Sequence, residues 1–409
     1  MSHRVVVTGM GGVTALGSDW PTIAANLHAR RNAIVRIPEW DMFENMNTRL
    51  GAPVPDFVVP ANWPRKNTRS MGRVAQLAVR ATELALAEAG LAADLAIRDG
   101  RMGVAYGSSF GSMDPIRLCG HALSTGSTKG ITSTSYLQAM SHTTAVNIAL
   151  HFELKGRIIP TSSACSSASH AIGYSYEAIR SGRQTMMVAG GSEEFTPAHA
   201  LIFDTLFATS TQNETPTLTP RPFDRSRDGL VVGEGACTLV LEDREHALAR
   251  GAIIHAEIIG FGTNSDGAHA TQPTSATMAR CIEMALADAG LSADAIGYVS
   301  AHGTATDRGD IAESHATSQV LGAAMPISSM KSYLGHTLGA CGSIEAWWGI
   351  EMMKRGSFAP TLNLVEPDPA CGQLDYIKDE DRAIETEHIL SNNFAFGGIN
   401  TSLVFRRVR

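Results

Sequence analysis

The feature that most constrains this chain is a repeat of itself. Residues 82–94, TELALAEAGLAAD, and residues 282–294, IEMALADAGLSAD, agree at nine of thirteen positions without a gap. Both segments place apolar residues at helical spacing and reach a glycine, Gly90 or Gly290, suited to end a helix in the left-handed conformation. Each then leads into a short apolar strand, MGVAYG at 102–107 and IGYVSAHG at 296–303. Two more correspondences follow. The segment CSSASHAIGYSYEAIRSGR at 165–183 parallels GACGSIEAWWGIEMMKRGS at 339–357, and the opening RVVVTGMGG parallels HAEIIGFGT at 255–263. Copies separated by about half the chain imply two like βα halves rather than a solenoid of small units. The halves are expected at residues 1–254 and 255–409, with longer insertions in the first near 17–70 and 108–150. The strands RVVVTG, TMMVAGG and IGYVSA are short and apolar, as in sheets covered by helices on both faces. The expected fold class is therefore layered α/β.

Several function classes are disfavoured by what surrounds this repeat. With 18% charged residues, a net charge of -7 and no biased stretch, the chain reads as a globular protein with no basic run for nucleic acid. Arg65, Lys66, Arg69 and Arg73 do gather in one short segment, where a small acidic partner would dock. No stretch approaches the ~18 apolar residues of a membrane span, and the N-terminus lacks a signal-like pattern, so a cytoplasmic location is expected. The cysteines at 119, 165, 237, 281, 341 and 371 show no CxxC pair and no histidine spacing of a metal site, so neither disulfides nor a metal are expected. VTGMGGVTALG near the N-terminus resembles a dinucleotide loop, but Gly9, Gly11 and Thr14 occupy the GxGxxG positions and no acidic residue follows a second strand. Nucleotide binding is disfavoured.

The residues with chemistry sit at strand-to-helix junctions. Cys165, in PTSSACSSASHAIGYSYEAIRSG, follows a small-residue turn at a helix start, where unpaired N–H groups favour a thiolate and offer donors to a thioester oxygen. A free cysteine is more often a small buried hydrophobe. His302 leaves the apolar strand GYVSA, and His336 lies in SSMKSYLGHTLGACG five residues after Lys331. Either histidine alone would read as structural. A cysteine and two histidines at matching junctions of duplicated halves point instead to one assembled site. The C-terminal SNNFAFGGINTSLVFRR adds Phe394-Ala395-Phe396-Gly397-Gly398, a glycine pair that permits close approach to a ligand or a mobile loop.

Taken together, these segments resemble the β-ketoacyl-acyl carrier protein synthases of the elongating type. The similarity runs nearly end to end, through VVVTGMGGVTALG, SSACSSA, RPFDRSRDGLVVGEGA, AHGTATDRGDIAE, KSYLGHTLGACGSIE and NNFAFGGIN. The resemblance implies a thiolase-like αβαβα sandwich of two duplicated halves, the first carrying the nucleophilic cysteine and the second both histidines. It implies a dimer, a homodimer or a heterodimer with a ketosynthase-like partner, that takes its substrates from acyl carrier protein. These ride on the carrier's phosphopantetheine arm, and no other cofactor is implied. Cys165 would accept the acyl group, with backbone N–H groups of Cys165 and Phe396 as oxyanion hole. His302 and His336 would assist decarboxylation of a malonyl unit, with Lys331 near the second histidine and Glu313 and Asp310 as the supporting network. Phe396 and Gly397 would form the gating loop, Phe110 in GSSFGSM would line the acyl pocket, and the cluster Arg65, Lys66, Arg69 and Arg73 would dock the carrier protein. The expected reaction is decarboxylative Claisen condensation in fatty acid or polyketide elongation. Asp307, Cys341 and Ile399 depart from the residues usual in relatives, which are Pro, Ala and Thr. Two other readings share the fold. A chain-length-controlling partner typically lacks the active cysteine, and a thiolase needs a second cysteine near the C-terminus, whereas Cys371 lies in a different context.

Overall fold

The structure, a computed structural model, describes residues 2–408. Among them, one mixed sheet holds β1 (Val5–Thr14), β2 (Met102–Gly107), β3 (Ile158–Thr161), β4 (Met186–Glu193), β5 (Gly235–Asp243), β6 (Ala256–Ser265), β7 (Ile296–Ser300), β8 (Pro326–Ser328), β9 (Asp375–Tyr376), β10 (His388–Ala395) and β11 (Ile399–Arg407). Their order across the sheet is β9-β8-β7-β10-β11-β6-β1-β5-β4-β2-β3. Outward from the centre, β1-β5-β4-β2-β3 on one side matches β6-β11-β10-β7-β8 on the other, where β9 is added as an extra edge strand. The directions repeat too, since β3-β2-β4 and β8-β7-β10 are parallel while β4-β5-β1 and β10-β11-β6 are antiparallel. The two sides meet where Val5–Val7 of β1 pairs antiparallel with 256–258 of β6.

The helices that position the site are α1 (Arg73–Glu88), α2 (Thr143–Phe152), α3 (Ser167–Arg180), α4 (Pro197–Asp204), α5 (Ser275–Ala289), α6 (Asp307–Leu321) and α7 (Cys341–Arg355). Three cores fix the layers. In the middle, Ile172, Tyr176 and Ile179 of α3 meet Ile344, Trp347 and Trp348 of α7, with Leu239 and Leu403 contributed from opposite sides of the sheet. On one outer face Val79 and Leu86 of α1 and Ile148 of α2 cover Val104 and Val188, and on the other Ile282 and Leu286 of α5 cover Val299 and Leu390. The result is the αβαβα sandwich of the thiolase-like fold, each fully buried aliphatic side chain contributing about 1.5–3 kcal/mol.

The duplicated helices end alike. Gly90 and Gly290 adopt φ of +70° and +66°, and the next amide closes a bond from Leu91 to Leu86 O at 2.8 Å and from Leu291 to Leu286 O at 3.0 Å. The glycines of VTGMGG have the same local explanation. A Cβ on Gly9 would lie 2.3 Å from Ala85 O of α1, and one on Gly260 of β6 would lie 2.3 Å from Ala285 O of α5. These residues are mid-strand, and they let a helix lie close on the sheet, so the dinucleotide-like pattern is a packing device.

The insertion at 17–70 is not idle. Its strand Leu50–Ala52 pairs with Val232–Gly233, and that segment in turn braces His336 by bonds His336 N to Val231 O at 2.7 Å and Gly233 N to His336 O at 2.9 Å. Among the described residues no helix is long and apolar enough to cross a membrane.

Candidate active site

Cys165 stands in a single 3-10 turn, Ala164–Ser166, between β3 and α3. Ala164 holds φ at +50°, a left-handed conformation uncommon for a residue with a Cβ. Ser167 closes the turn by donating to Ala164 O at 2.7 Å and accepting from Ser163 N at 2.9 Å. The thiol is buried, its sulfur 3.0 Å from Nε2 of His336, and the backbone N–H groups of Cys165 and Phe396 both reach it. Burial pushes the thiol up to about 12, against an opposing pull from the Lys331 ammonium. The helix start favours a thiolate, yet desolvation outweighs it, so the resting residue is a thiol.

The state of the two imidazoles follows from their other nitrogens. His336 Nδ1 accepts the Leu338 N–H at 3.2 Å, so in the neutral ring the proton sits on Nε2 and faces Cys165. His302 Nδ1 faces two donors, Lys331 Nζ at 3.2 Å and Asn393 Nδ2 at 3.4 Å, which places its proton on Nε2 as well. Burial, then the Lys331 charge, holds both rings well below the usual histidine range, so both are neutral near pH 7. Their centroids are 5.2 Å apart at an interplanar angle of 85°. Lys331 is fully buried and held above its ordinary value by Glu345, whose Oε1 it meets at 2.5 Å against the opposing effect of burial.

A pair of carboxylates on α6 shapes the turn that carries His302. Glu313 accepts the N–H of His302 at 2.7 Å and of Gly303 at 2.6 Å, and Asp310 accepts those of Thr304 at 3.0 Å and Ala305 at 3.1 Å. Burial raises Glu313 to about 8 and Asp310 to about 6. Four consecutive amides are thus tied from below.

These groups open onto a cavity of about 480 Å³, lined by Cys165, His302, His336, Phe203, Phe394 and Phe396 among others. Phe396 is partly exposed, packs at a tilt against Phe203 with centroids 5.5 Å apart, and tops the β10–β11 hairpin. Gly397 and Gly398 take φ of +90° and +68°, with Gly397 N bonded to Ala270 O at 2.7 Å. Asp307 reaches the same cavity and accepts from Arg227 Nη2 at 3.2 Å, while the backbone carbonyl of Ile399 accepts Ser166 Oγ at 3.2 Å whatever its side chain.

The sulfur of Cys165 and ring nitrogens of His302 and His336 lie within 4.8 Å of one another, a spacing that metal ligands also show. A metal needs the Nε2 lone pair, which both rings commit to a proton, and the neighbouring ammonium opposes a cation. The donor set fits hydrogen-bond donation better than metal ligation.

One expectation needs correction, and a second residue lies away from this cavity. Arg73 is no free docking charge: it is half-buried, and its Nε and Nη2 meet the fully buried Glu234 carboxylate at 2.5 and 2.8 Å. A guanidinium that neutralises an otherwise unpaired buried anion stays with it. Arg65, Lys66 and Arg69 are exposed, on and beside the short helix Arg65–Thr68. Phe110 does not line the cavity; its loop is held by Ser109 N to Glu193 Oε2 at 2.8 Å, and its ring stacks on the buried His199 with centroids 5.2 Å apart. Sequence reasoning passed over Glu345, Asn393 and Glu193. Glu345 offered a signal, a carboxylate set among the small and apolar residues of GSIEAWW.

Two like α/β halves whose strand ends bring one cysteine and two neutral, donor-ready histidines to a shared cavity define a condensing acyltransferase of the thiolase fold. The family description "Beta-ketoacyl synthase, N-terminal domain" matches residues 2–247, and "Beta-ketoacyl synthase, C-terminal domain" matches residues 255–365. The chain belongs to the β-ketoacyl synthase family. It is 37% identical over 414 residues to 3-oxoacyl-[acyl-carrier-protein] synthase 2 of Vibrio cholerae, covering 99% of each chain. Among solved structures it is similar to a β-ketoacyl synthase from Burkholderia phymatum, with TM-score 0.99, 67% identity and full coverage of both chains. It is also similar to a type II polyketide synthase ketosynthase solved bound to the hexaketide and in complex with its acyl-carrier protein, with TM-score 0.89, 31% identity and full coverage of both.

Proposed function

We propose that this chain condenses an acyl group held on Cys165 with a malonyl unit, both delivered by acyl carrier protein. The observation that carries this reading is the fixed tautomer of both histidines, each turning an Nε2–H toward the cavity that holds the thiol. In the first half-reaction the Cys165 sulfur attacks the acyl thioester, the carrier thiol leaves with the cysteine proton, and the backbone N–H groups of Cys165 and Phe396 hold the oxyanion. In the second, the malonyl thioester oxygen receives hydrogen bonds from His302 and His336 while the carboxylate leaves as carbon dioxide. The freed electron pair forms the new carbon–carbon bond to the acyl carbon, and Cys165 departs as thiolate and takes up one proton from solvent. No separate base is required, because no C–H proton is removed. The reaction as written uses no cofactor beyond the carrier's phosphopantetheine arm.

We place the acidic carrier on the exposed cations Arg65, Lys66 and Arg69, a steering contribution rather than a large affinity. We also read β3 as a dimer edge, since it is the outermost strand and Ile158 is 46% exposed there. The same chain, rather than a ketosynthase-like partner, is the simpler occupant of that edge. The test incubates purified protein with acyl- and malonyl-carrier proteins. We expect carbon dioxide and β-ketoacyl product in equal amounts, and an acyl mass on the Cys165 peptide. Carbon dioxide without condensed product, unchanged in Cys165→Ala, would rule the reading out.

A further inference from the structure

Cys341 opens α7, directly across from the nucleophile, and is 2% exposed. Its sulfur lies 3.2 Å from the backbone carbonyl of Cys165 and 3.5 Å from Nδ2 of Asn393. A carbonyl oxygen only accepts and an amide NH₂ only donates, so each contact has one polarity. The Cys341 S–H donates to Cys165 O, and its sulfur accepts from Asn393. Burial holds the Cys341 thiol well above the ordinary thiol range, which keeps that proton in place.

The chain of contacts continues from there. Asn393 Nδ2 also donates to Glu345 Oε2 at 2.7 Å, and Glu345 holds the Lys331 that donates to His302. Cys341 therefore links the backbone of the nucleophile's turn to the charges that set the tautomer of His302. Ser167 stands at the equivalent first position of α3 and behaves differently, bonding Ala164 O within its own turn. An alanine at position 341 would make neither bond.

We propose that Cys341 is a positioning residue, tying the Cys165 turn to the histidine network so that the sulfur stays aimed at His336 during acyl uptake. The link matters because, among the described residues, it is the one hydrogen bond that α7 gives to the strained turn beginning at Ala164.

The full chain tests this with Cys341→Ala and Cys341→Ser. Two rates are read: alkylation of Cys165 by iodoacetamide, followed by mass spectrometry of its peptide, and kcat against KM for acyl uptake from acyl-carrier protein. We expect Cys341→Ala to slow both rates by about five- to tenfold, in kcat and with KM unchanged. Cys341→Ser, which keeps a donor and an acceptor, should recover at least half of the loss. Wild-type rates in Cys341→Ala, or a serine variant as slow as the alanine one, would overturn the proposal. Alkylation needs no substrate. Failure of the wild type to take up acyl groups would therefore count against the proposed reaction while leaving this inference open to its own readout.

Discussion

The two halves build the same turn and use it for different ends. In the first, Ala164–Ser166 precedes α3, with φ of +50° at Ala164; in the second, Leu338–Ala340 precedes α7, with φ of +46° at Leu338. The residue after the strained position is Cys165 in one and Gly339 in the other. Cys165 faces the cavity, whereas Gly339 gives its N–H to the Glu193 carboxylate at 2.9 Å and sits against the Phe110 loop. The halves diverge again at their second strands. In the second, β7 passes almost at once through His302 into α6, while in the first, residues 108–142 separate β2 from α2. One half thus supplies the thiol and the other both imidazoles, so the centre exists only where they meet. Duplication supplied two equivalent cradles, and side-chain choice made one a nucleophile and the other a scaffold.

Moving the thiol is the severest test of that division. A Cys165→Gly, Gly339→Cys double variant should form no β-ketoacyl product, a loss of at least about 10⁴-fold, like Cys165→Ala alone. A Cβ at 339 would lie 2.8 Å from Ser108 Cα and Ser109 N, so the second cradle has no room for it. Product from the double variant, measured by mass spectrometry, would show the two turns to be interchangeable.

Next comes Lys331→Ala, which removes a donor and a positive charge from the second half only. Malonyl decarboxylation should fall about 10²-fold. Neither imidazole should titrate between about pH 6 and 8 in the wild type, because both protonate only well below the usual histidine value. In the variant the charge part of that suppression is lost while burial remains, so the acid limb of the rate should move to higher pH than in the wild type. An imidazole titrating in that range in the wild type would contradict the tautomer argument.

Glu193 probes the scaffold turn through stability. Burial raises its carboxyl to about 7 from the usual 4.5, so its contribution is fully present below about 4.5 and is lost as pH rises through 7. Its Oε1 has no protein partner. Glu193→Gln should therefore gain on the wild type by on the order of 2 kcal/mol from pH 5 to pH 8, read from urea midpoints. A constant difference across that range would place the ionisation elsewhere.

The smallest effect contrasts the strained residues themselves. Ala164→Gly should stabilise by about 0.5–1 kcal/mol, since glycine adopts that φ freely. Leu338 is buried among Trp40, Phe203 and Leu230, so Leu338→Gly should destabilise despite the same relief. Calorimetry of both variants would show whether the two turns store comparable strain.

Much of the fold was legible because the repeat is marked by groups with narrow geometric uses. The left-handed caps at Gly90 and Gly290 and the buried strands read directly from residue type. The contents of residues 17–70 did not, since irregular segments carry no period. Within the site, Cys165, His302, His336 and Lys331 fell in ordered motifs. Asn393 and Glu345 come from a strand and a helix that meet only through the central layer, so no spacing foretold their contact. Arg73 was misread for a related reason: its partner Glu234 lies 161 positions away, and a charge in sequence does not announce a buried counter-ion. The same blindness hid how strongly burial would raise the Cys165 thiol.

The turn from His302 to Ala305 has one more consequence. Its four amides are already given to Glu313 and Asp310, so its wall offers side-chain hydroxyls and an imidazole but no cluster of backbone N–H groups. An anion resting there forfeits its hydration without finding a nest in return. Carbon dioxide, neutral and apolar, loses nothing by the exchange. In the proposed reaction, a malonyl carboxylate set against this turn would be poorly solvated while the gas it becomes would not, and that asymmetry would push the bond toward breaking.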